Sequence, residues 1–361
     1  MLSLIAFLAV LSVLVLVHEF GHFIAAKKVG VRVEKFSFGF GPKIIGIKRG
    51  DTEYLISLIP LGGYVKMAGD DPSEELKHKP WEFLSRSVFD RFNIIFAGPA
   101  LNYLLAFIVF SIIFMFGSPT MTAEVGGLIK DYPAEKGGVL VGDKIQAVDD
   151  VPVKYWEDMT AMIHKHGKDK IKLSIDRGGK EFQLELEPVI RETKDIFGRQ
   201  SRIALVGISP SQSIENVRYG FAESLWMGAR KLVQLTAITY KALWSMVIGQ
   251  LSVKESMTGP IGIFMITGQA AKMGFIYILH LMGILSASLA IFNLLPLPIL
   301  DGGHIIFLAL EKLRGKPLSL KAQEAVANVG ITFLILLTVF IFYNDIMKFG
   351  IADKVTGLFR K

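Results

Sequence analysis

The sequence predicts a polytopic α-helical membrane protein with four transmembrane helices, a small β-hairpin or sheet beside the membrane, and one β-rich insert. Three observations predict it. The 361-residue chain is 51% hydrophobic and 20% charged, with a mean hydropathy of +0.45; a soluble globule would need an unusually large core to hide that excess. Four stretches long enough to cross a bilayer carry almost no charge. The polar region between the second and third alternates apolar and polar residues as strands do. The same composition excludes a disordered chain. Zero Cys excludes a disulfide framework, a cysteine zinc site and a thiol catalyst. The net charge of +7 fits basic cytoplasmic loops and gives no reason to invoke nucleic acid.

About 20 residues of helix cross the ~30 Å apolar layer. The first span is residues 2–26, where Glu19 is the one formal charge. It has no basic segment ahead of it and its apolar run is too long for a cleaved signal peptide, so it is read as a retained helix. Residues 31–38 and 52–58 alternate in β-type residues and lead into Pro60-Leu61-Gly62-Gly63-Tyr64, which predicts the hairpin within about 30–67. The second span lies in the uncharged stretch 92–123, its apolar part ending near Gly117-Ser118-Pro119 and closing a first domain at 1–117.

The insert at 118–190 opens with a strand from Glu124 to Ile129. Pro133-Ala134-Glu135-Lys136 and Gly137-Gly138 give a helical turn and its stop, and Trp156, Met159 and Met162-Ile163 repeat at helical spacing. Ile171, Leu173 and Ile175, then Gly178-Gly179, then Phe182, Leu184 and Leu186 spell a hairpin. Residues 191–272 read as a polar linker to 212, with Gly198, Gly207 and Pro210, followed by an amphipathic stretch at 213–253. Lys241 near the middle of that stretch argues against a fifth span and for a helix lying at the interface. Residues 273–361 hold the last two spans: 273–300, broken by Pro296 and Pro298, and 325–344. The two short loops carry sixteen Lys and Arg against four in the tail, which puts those loops in the cytoplasm and both termini and the insert outside.

The chemistry sits in His18-Glu19-Phe20-Gly21-His22. Residues four apart share a helix face, so both imidazoles can bind one Zn²⁺, with Glu19 beside it to take a proton from water and pass it to a leaving amine. Such side chains inside an apolar span are costly and rare unless functional. A catalytic zinc takes three protein ligands and a water. Asp301, at the cytoplasmic end of the broken third span and level with His22, can be the third. On the residues alone, helix capping by Asp301 and ligation by His304 remain competing readings. His164 and His166 fall in the insert, on the wrong side of the membrane, and neither His78 nor His280 is preferred.

The pair His18-Glu19-x-x-His22 and Asn293…Pro296-x-Pro298-x-x-Asp301-Gly302 resembles the site-2 protease family of intramembrane zinc metalloproteases, in particular its bacterial regulator of sigma-E protease group. Phe38-Gly39-Phe40-Gly41-Pro42, the run from Pro60 to Met67, Gly98-Pro99-Ala100-Leu101-Asn102 and the run from Ser256 to Ile261 extend the resemblance nearly end to end. The insert resembles one PDZ domain through Gly137-Gly138-Val139-Leu140 and Gly142-Asp143-Lys144-Ile145, where many members carry two in tandem.

The resemblance implies that Asp301 completes a zinc site, that Asn293 contacts substrate or the oxyanion, and that the hairpin at roughly 52–67 offers substrate an edge. It implies a zinc endopeptidase of the bacterial cytoplasmic (inner) membrane that cuts single-span proteins, such as anti-sigma factors or signal-peptide remnants, toward the cytoplasmic side. Its partners would be those substrates, the bilayer and a peptide on the PDZ-like insert. A non-proteolytic PDZ-bearing scaffold and a zinc-dependent lipid hydrolase are the competing classes. The first leaves the intact metal set without a use, and the second leaves the insert without one.

Overall fold

The computed structural model describes residues 1–71, 79–167 and 169–350, with Leu61 as backbone alone. His78 and the tail residues Lys354, Arg360 and Lys361 lie outside them. The chain forms two compact units, one of residues 1–112, 225–240 and 253 onward, the other of residues 113–224 and 241–252.

In the first unit, α1 (Leu2–Lys28) is followed by β1 (Val33–Arg49), β2 (Thr52–Met67) and α2 (Val88–Phe116). The strands fall within the predicted 30–67 but run longer than the alternating stretches 31–38 and 52–58, because β1 is used twice. Residues 35–38 pair with 53–56 on one side and with 63–66 on the other, and 43–49 fold back onto 52–57. Gly39 makes the reversal (φ 95°), where its missing side chain lets the Ser57 and Ile59 carbonyls come close. Residues 52–57 are therefore an interior strand. The outer strands are 43–49 and 63–67, so only the last five residues of the predicted substrate edge at 52–67 lie at an edge. The sheet is fixed to α1 by Ser12 Oγ donating to the Pro60 carbonyl (3.1 Å) and by Phe23 packing on Phe36, 5.0 Å between centroids.

The second unit carries the insert: β3 (Ser118–Met121), β4 (Val125–Leu128), α3 (Pro133–Lys136), β5 (Lys144–Val148), β6 (Val151–Pro152), α4 (Trp156–Lys165), β7 (Ile171–Arg177) and β8 (Lys180–Leu186). A sheet in the order β6-β5-β7-β8 buries Ile145, Val148, Ile171, Leu173 and Ile175 against Met159 and Ile163 of α4. Gly178 and Gly179 take φ 60° and 85° in the β7–β8 turn, the left-handed pair a two-residue hairpin needs. The expected PDZ-like order of strand, helical turn, strand, helix and hairpin is present.

The segment expected as a linker is not one. It holds most of β9 (Val189–Lys194) together with β10 (Gln200–Leu205) and β11 (Ile208–Pro210), while β12 (Ile214–Val217) opens the stretch expected to be amphipathic helix; β11 and β12 return to pair with β4 and β3. Strands of three or four residues are too short for alternation to register, and their partners lie some ninety residues away. The β9–β10 tip rests on residues 241–252: Gly198 (φ 78°) lies against the Gln250 carbonyl and Lys241 sits over Phe197.

The remaining helices are α5 (Phe221–Val247), α6 (Val253–Ser256), α7 (Pro260–Met273), α8 (Phe275–Asn293), α9 (Asp301–Arg314) and α10 (Leu320–Lys348). Four of the helices are long and apolar enough to cross a membrane: α1, α2, α8 and α10. The amphipathic α5 is not held by the interface alone. Gly228 lies against Ser111 and Thr236 bonds Tyr103, two turns apart on each helix in opposite senses, so α5 runs antiparallel along α2 there. The α7 N-terminus has no cap of its own; buried Asp345 of α10 accepts from the Gly259 and Gly262 amides (3.1 and 3.0 Å). The third span stops at Asn293, ahead of Pro296, and a new helix starts at Asp301, so Asp301 opens a helix rather than ending one.

One buried ion pair in the insert yields a test. Asp143 is fully buried, with Arg177 Nε and Nη2 at 2.7 and 2.8 Å and the Leu140 amide at 2.8 Å. Burial pushes its pKa up, but the Arg177 and Leu140 hydrogen bonds outweigh it and hold the carboxyl below its ordinary value. A lowered folded-state pKa stabilises above the unfolded pKa of about 4 and loses that stability as pH falls through the folded value. Arg177→Met should therefore lower hydrogen-exchange protection of β5 and β7 amides at pH 7 by roughly ten- to a hundredfold. With only the Leu140 amide left to oppose burial, acidification toward pH 5 should then raise protection in the variant and not in the parent.

Candidate metal centre

His18 and His22 lie one turn apart on α1 and present their rings to the same side, with centroids 4.8 Å apart and their Nε2 atoms 3.2 Å apart. Asp301 faces them from the first turn of α9, with Oδ2 3.2 Å from His18 Nε2 and Oδ1 3.7 Å from His22 Nε2. One ligand atom from each of the three lies within 4.8 Å of the others. Atoms about 2.0 Å from a tetrahedral zinc sit about 3.3 Å apart, close to these separations. The Asp301 Oδ2 atom is buried and accepts no hydrogen bond. A buried carboxylate oxygen left this way is costly, and a cation at this point would satisfy it.

The competing readings of the ligand set fare differently. No side chain caps the start of α9, so Asp301 is not spent on capping. His304 lines the cavity with Asp301 but stands outside the three-residue cluster. His166 pairs with Asp149 (2.8 Å) at the surface of the insert, and His280 lies within α8 against Phe110.

The second helix shapes the site. His22 Nδ1 donates to the Ile94 carbonyl (2.9 Å), which leaves Nε2 with its lone pair toward Asp301. Pro99 cannot donate within α2, and Gly98 before it comes so close to both imidazoles that any β-carbon would collide with His22 Nε2 and His18 Cε1. Asn102, fully buried, brings its amide to 3.3 Å from His18 Nδ1. Gly98 and Asn102 belong to the string Gly98-Pro99-Ala100-Leu101-Asn102, to which the sequence alone assigns no role. The signal for Asn102 is a neutral polar side chain in mid-span.

Glu19 lies on the same helix and is reached by the Val65 amide at the outer edge of β2, with Gly63 packed on its Cγ. With His22, Asp301, Ile94 and Arg91 it lines a cavity of about 760 Å³ that continues between α2 and α9, where Arg91 pairs with Glu311. Asn293 closes α8, half-buried, and is not among the residues lining that cavity.

Paired imidazoles on a spanning helix, a carboxylate from a second helix and a glutamate next to both define a membrane-embedded metallopeptidase. The comparisons agree on the class. The chain belongs to Peptidase family M50, whose sequence profile matches residues 6–337, and it is a zinc metalloprotease of the site-2 type. It is 33% identical over 360 residues to a provisionally named zinc metalloprotease of Agrobacterium fabrum, covering 95% of each chain. A second such protein, of Rickettsia conorii, is 36% identical over 361 residues, covering 96% of this chain and 99% of that one. The regulator of sigma E protease of Haemophilus influenzae is 29% identical over 450 aligned positions, covering 96% and 99%. Among solved structures, the PDZ domain of an SdrC-like protein of Listeria monocytogenes is similar at 23% identity, over 24% of this chain and 84% of that one, with a TM-score of 0.20.

The Gly98 approach gives a prediction. Gly98→Ala should displace the His22 ring and lower zinc affinity at least tenfold, measured by competition with a chelator on the purified protein. Ala100→Gly, on the same helix, should leave that affinity unchanged.

Proposed function

We propose that this protein is an intramembrane zinc endopeptidase that cleaves single-span membrane proteins, releasing a cytoplasmic fragment such as that of an anti-sigma factor, or trimming signal-peptide remnants. The observation that carries the reading is the cluster of His18, His22 and Asp301, built on spanning helices with Glu19 and an outer strand edge beside it. Its setting is a bacterial inner membrane, with the termini and the PDZ-like insert outside and the site toward the cytoplasm, as the loop charges favour.

Zinc held by His18, His22 and Asp301 supplies Lewis acidity for the scissile carbonyl and the attacking water. Glu19 takes the water proton as the oxygen attacks the carbonyl carbon, and returns it to the amide nitrogen as the C–N bond breaks. Asn293, at the break in the third span, holds the substrate or donates to the oxyanion once the chain is bound.

A spanning substrate hides each carbonyl in a helix, so it must unwind locally, and every freed backbone group costs several kcal/mol, by order of magnitude, in an apolar setting. The edge strand 63–67 offers replacement partners once its Val65 amide exchanges the Glu19 carboxylate for a substrate carbonyl, and an unwound chain laid along it as an added strand passes over Glu19. The PDZ-like insert takes no part in the chemistry; it filters or recruits substrates by size or by peptide capture.

Purified protein incubated with a single-span substrate, with and without chelator, separates the three classes: a protease cleaves and stops on zinc removal, a scaffold cleaves nothing, and a lipase acts on lipid instead. Glu19→Gln should keep one zinc per chain and lose cleavage by at least a thousandfold; zinc loss in this variant would make Glu19 a ligand and overturn the assignment. Gly or Asn near the cut should raise the rate relative to Leu, since both weaken the substrate helix. Equal rates across that series would end the strand-docking model.

A further inference from the structure

We infer that Asn102 is a positioning residue for the metal site: it accepts the His18 Nδ1 proton and so holds the His18 Nε2 lone pair on the zinc position. The inference rests on the reading of His18 as a zinc ligand. Asn102 lies in the middle of α2 with no exposure, 3.3 Å through its amide from His18 Nδ1. Its Oδ1 is buried and has no partner. Nothing in helix packing calls for asparagine there, since a polar side chain in a span is expensive unless it is paired.

Proton bookkeeping at His18 supplies the partner. The Nε2 face of the ring looks onto Asp301 Oδ2 and His22 Nε2, so ligation needs Nε2 bare. A neutral imidazole with a bare Nε2 carries its proton on Nδ1 and needs an acceptor there. The two ends of an amide exchange by a half-turn about its last torsion. With Oδ1 turned toward His18, the Nδ1 proton gains its acceptor and Nδ2 takes the unpartnered place, so the number of amide bonds is unchanged and the His18 tautomer that ligation requires decides the orientation.

The same device is already in place for the other ligand, whose Nδ1 donates to the Ile94 carbonyl. Ile94, Gly98 and Asn102 are spaced by four, so they form one face of α2. One residue of that face orients His22, one has no side chain and admits both rings, and one orients His18. Asn102 is itself anchored, because Ser286 Oγ of α8 donates to its backbone carbonyl at 2.7 Å.

The test measures zinc affinity of the full-length protein in detergent by chelator competition, together with melting of the metal-free form. Asn102→Leu should weaken zinc binding by roughly ten- to a hundredfold, the usual effect of losing an outer hydrogen bond to a ligating histidine. Asn102→Asp, which keeps the acceptor, should bind zinc within a few-fold of the parent or more tightly. Metal-free melting should not track these changes, whereas a purely structural role predicts that it does. A folded Asn102→Leu protein with parental zinc affinity overturns the inference. So does a folded Asn102→Asp protein that loses zinc as severely as Leu, and this arm decides the matter if Leu does not fold. His18→Ala distinguishes the two levels: parental zinc affinity in that variant refutes His18 as a ligand, while its loss beside an unaffected Asn102→Leu refutes only the positioning role.

Discussion

Two imidazoles and a carboxylate at one depth in an apolar layer are the constraint on which the rest of the membrane unit depends. Each polar atom there must be paired, because lipid offers no replacement for water. The chain meets this with α2, which presents a carbonyl at Ile94, open space at Gly98 and an amide at Asn102 to the two histidines of α1. Asp301 arrives from a third helix, and its orphaned oxygen marks where the set is incomplete without a cation.

The breaks in the helices follow from the same demand. Pro296 and Pro298 end α8 early, and the turn they force carries Asp301 into the site at the start of α9. Gly302 and Gly303 let that start pack directly on the carbonyls of residues 294, 295 and 297. Elsewhere an exposed helix end would be capped by water. Here Asp345 crosses from α10 to satisfy the first amides of α7, a buried charge offset by the helix terminus it faces.

In the proposed function, the sheet beside α1 links this geometry to substrate handling. Because β1 pairs on both sides, the strand at 52–57 is held between two partners and the edge strand 63–67 lies next to Glu19, whose carboxylate takes the Val65 amide. An edge strand in water invites aggregation, but one held against an active site is a template for an extended chain.

Some of this was fixed by the order of residues alone. Charge-free runs of twenty residues can be little other than spans, and the spacing of His18 and His22 puts two imidazoles on one helix face whatever surrounds them. The hairpin at 171–186 was legible because alternation and a Gly-Gly turn are local signals. The place of Asp301 beside the two histidines needed the fold: the residues left capping and His304 open, and only the approach of α9 to α1 brings that carboxylate to 3.2 Å. Asn102 and Gly98 were legible as a string but not as a device, since their meaning is a distance to another helix. The short strand 208–210 passed for a linker, and 214–217 for the start of an amphipathic helix, for the same reason. Local pattern reports the period of a chain segment, whereas pairing across ninety residues and the closing of a ligand set are decided by which surfaces the whole chain can bury together.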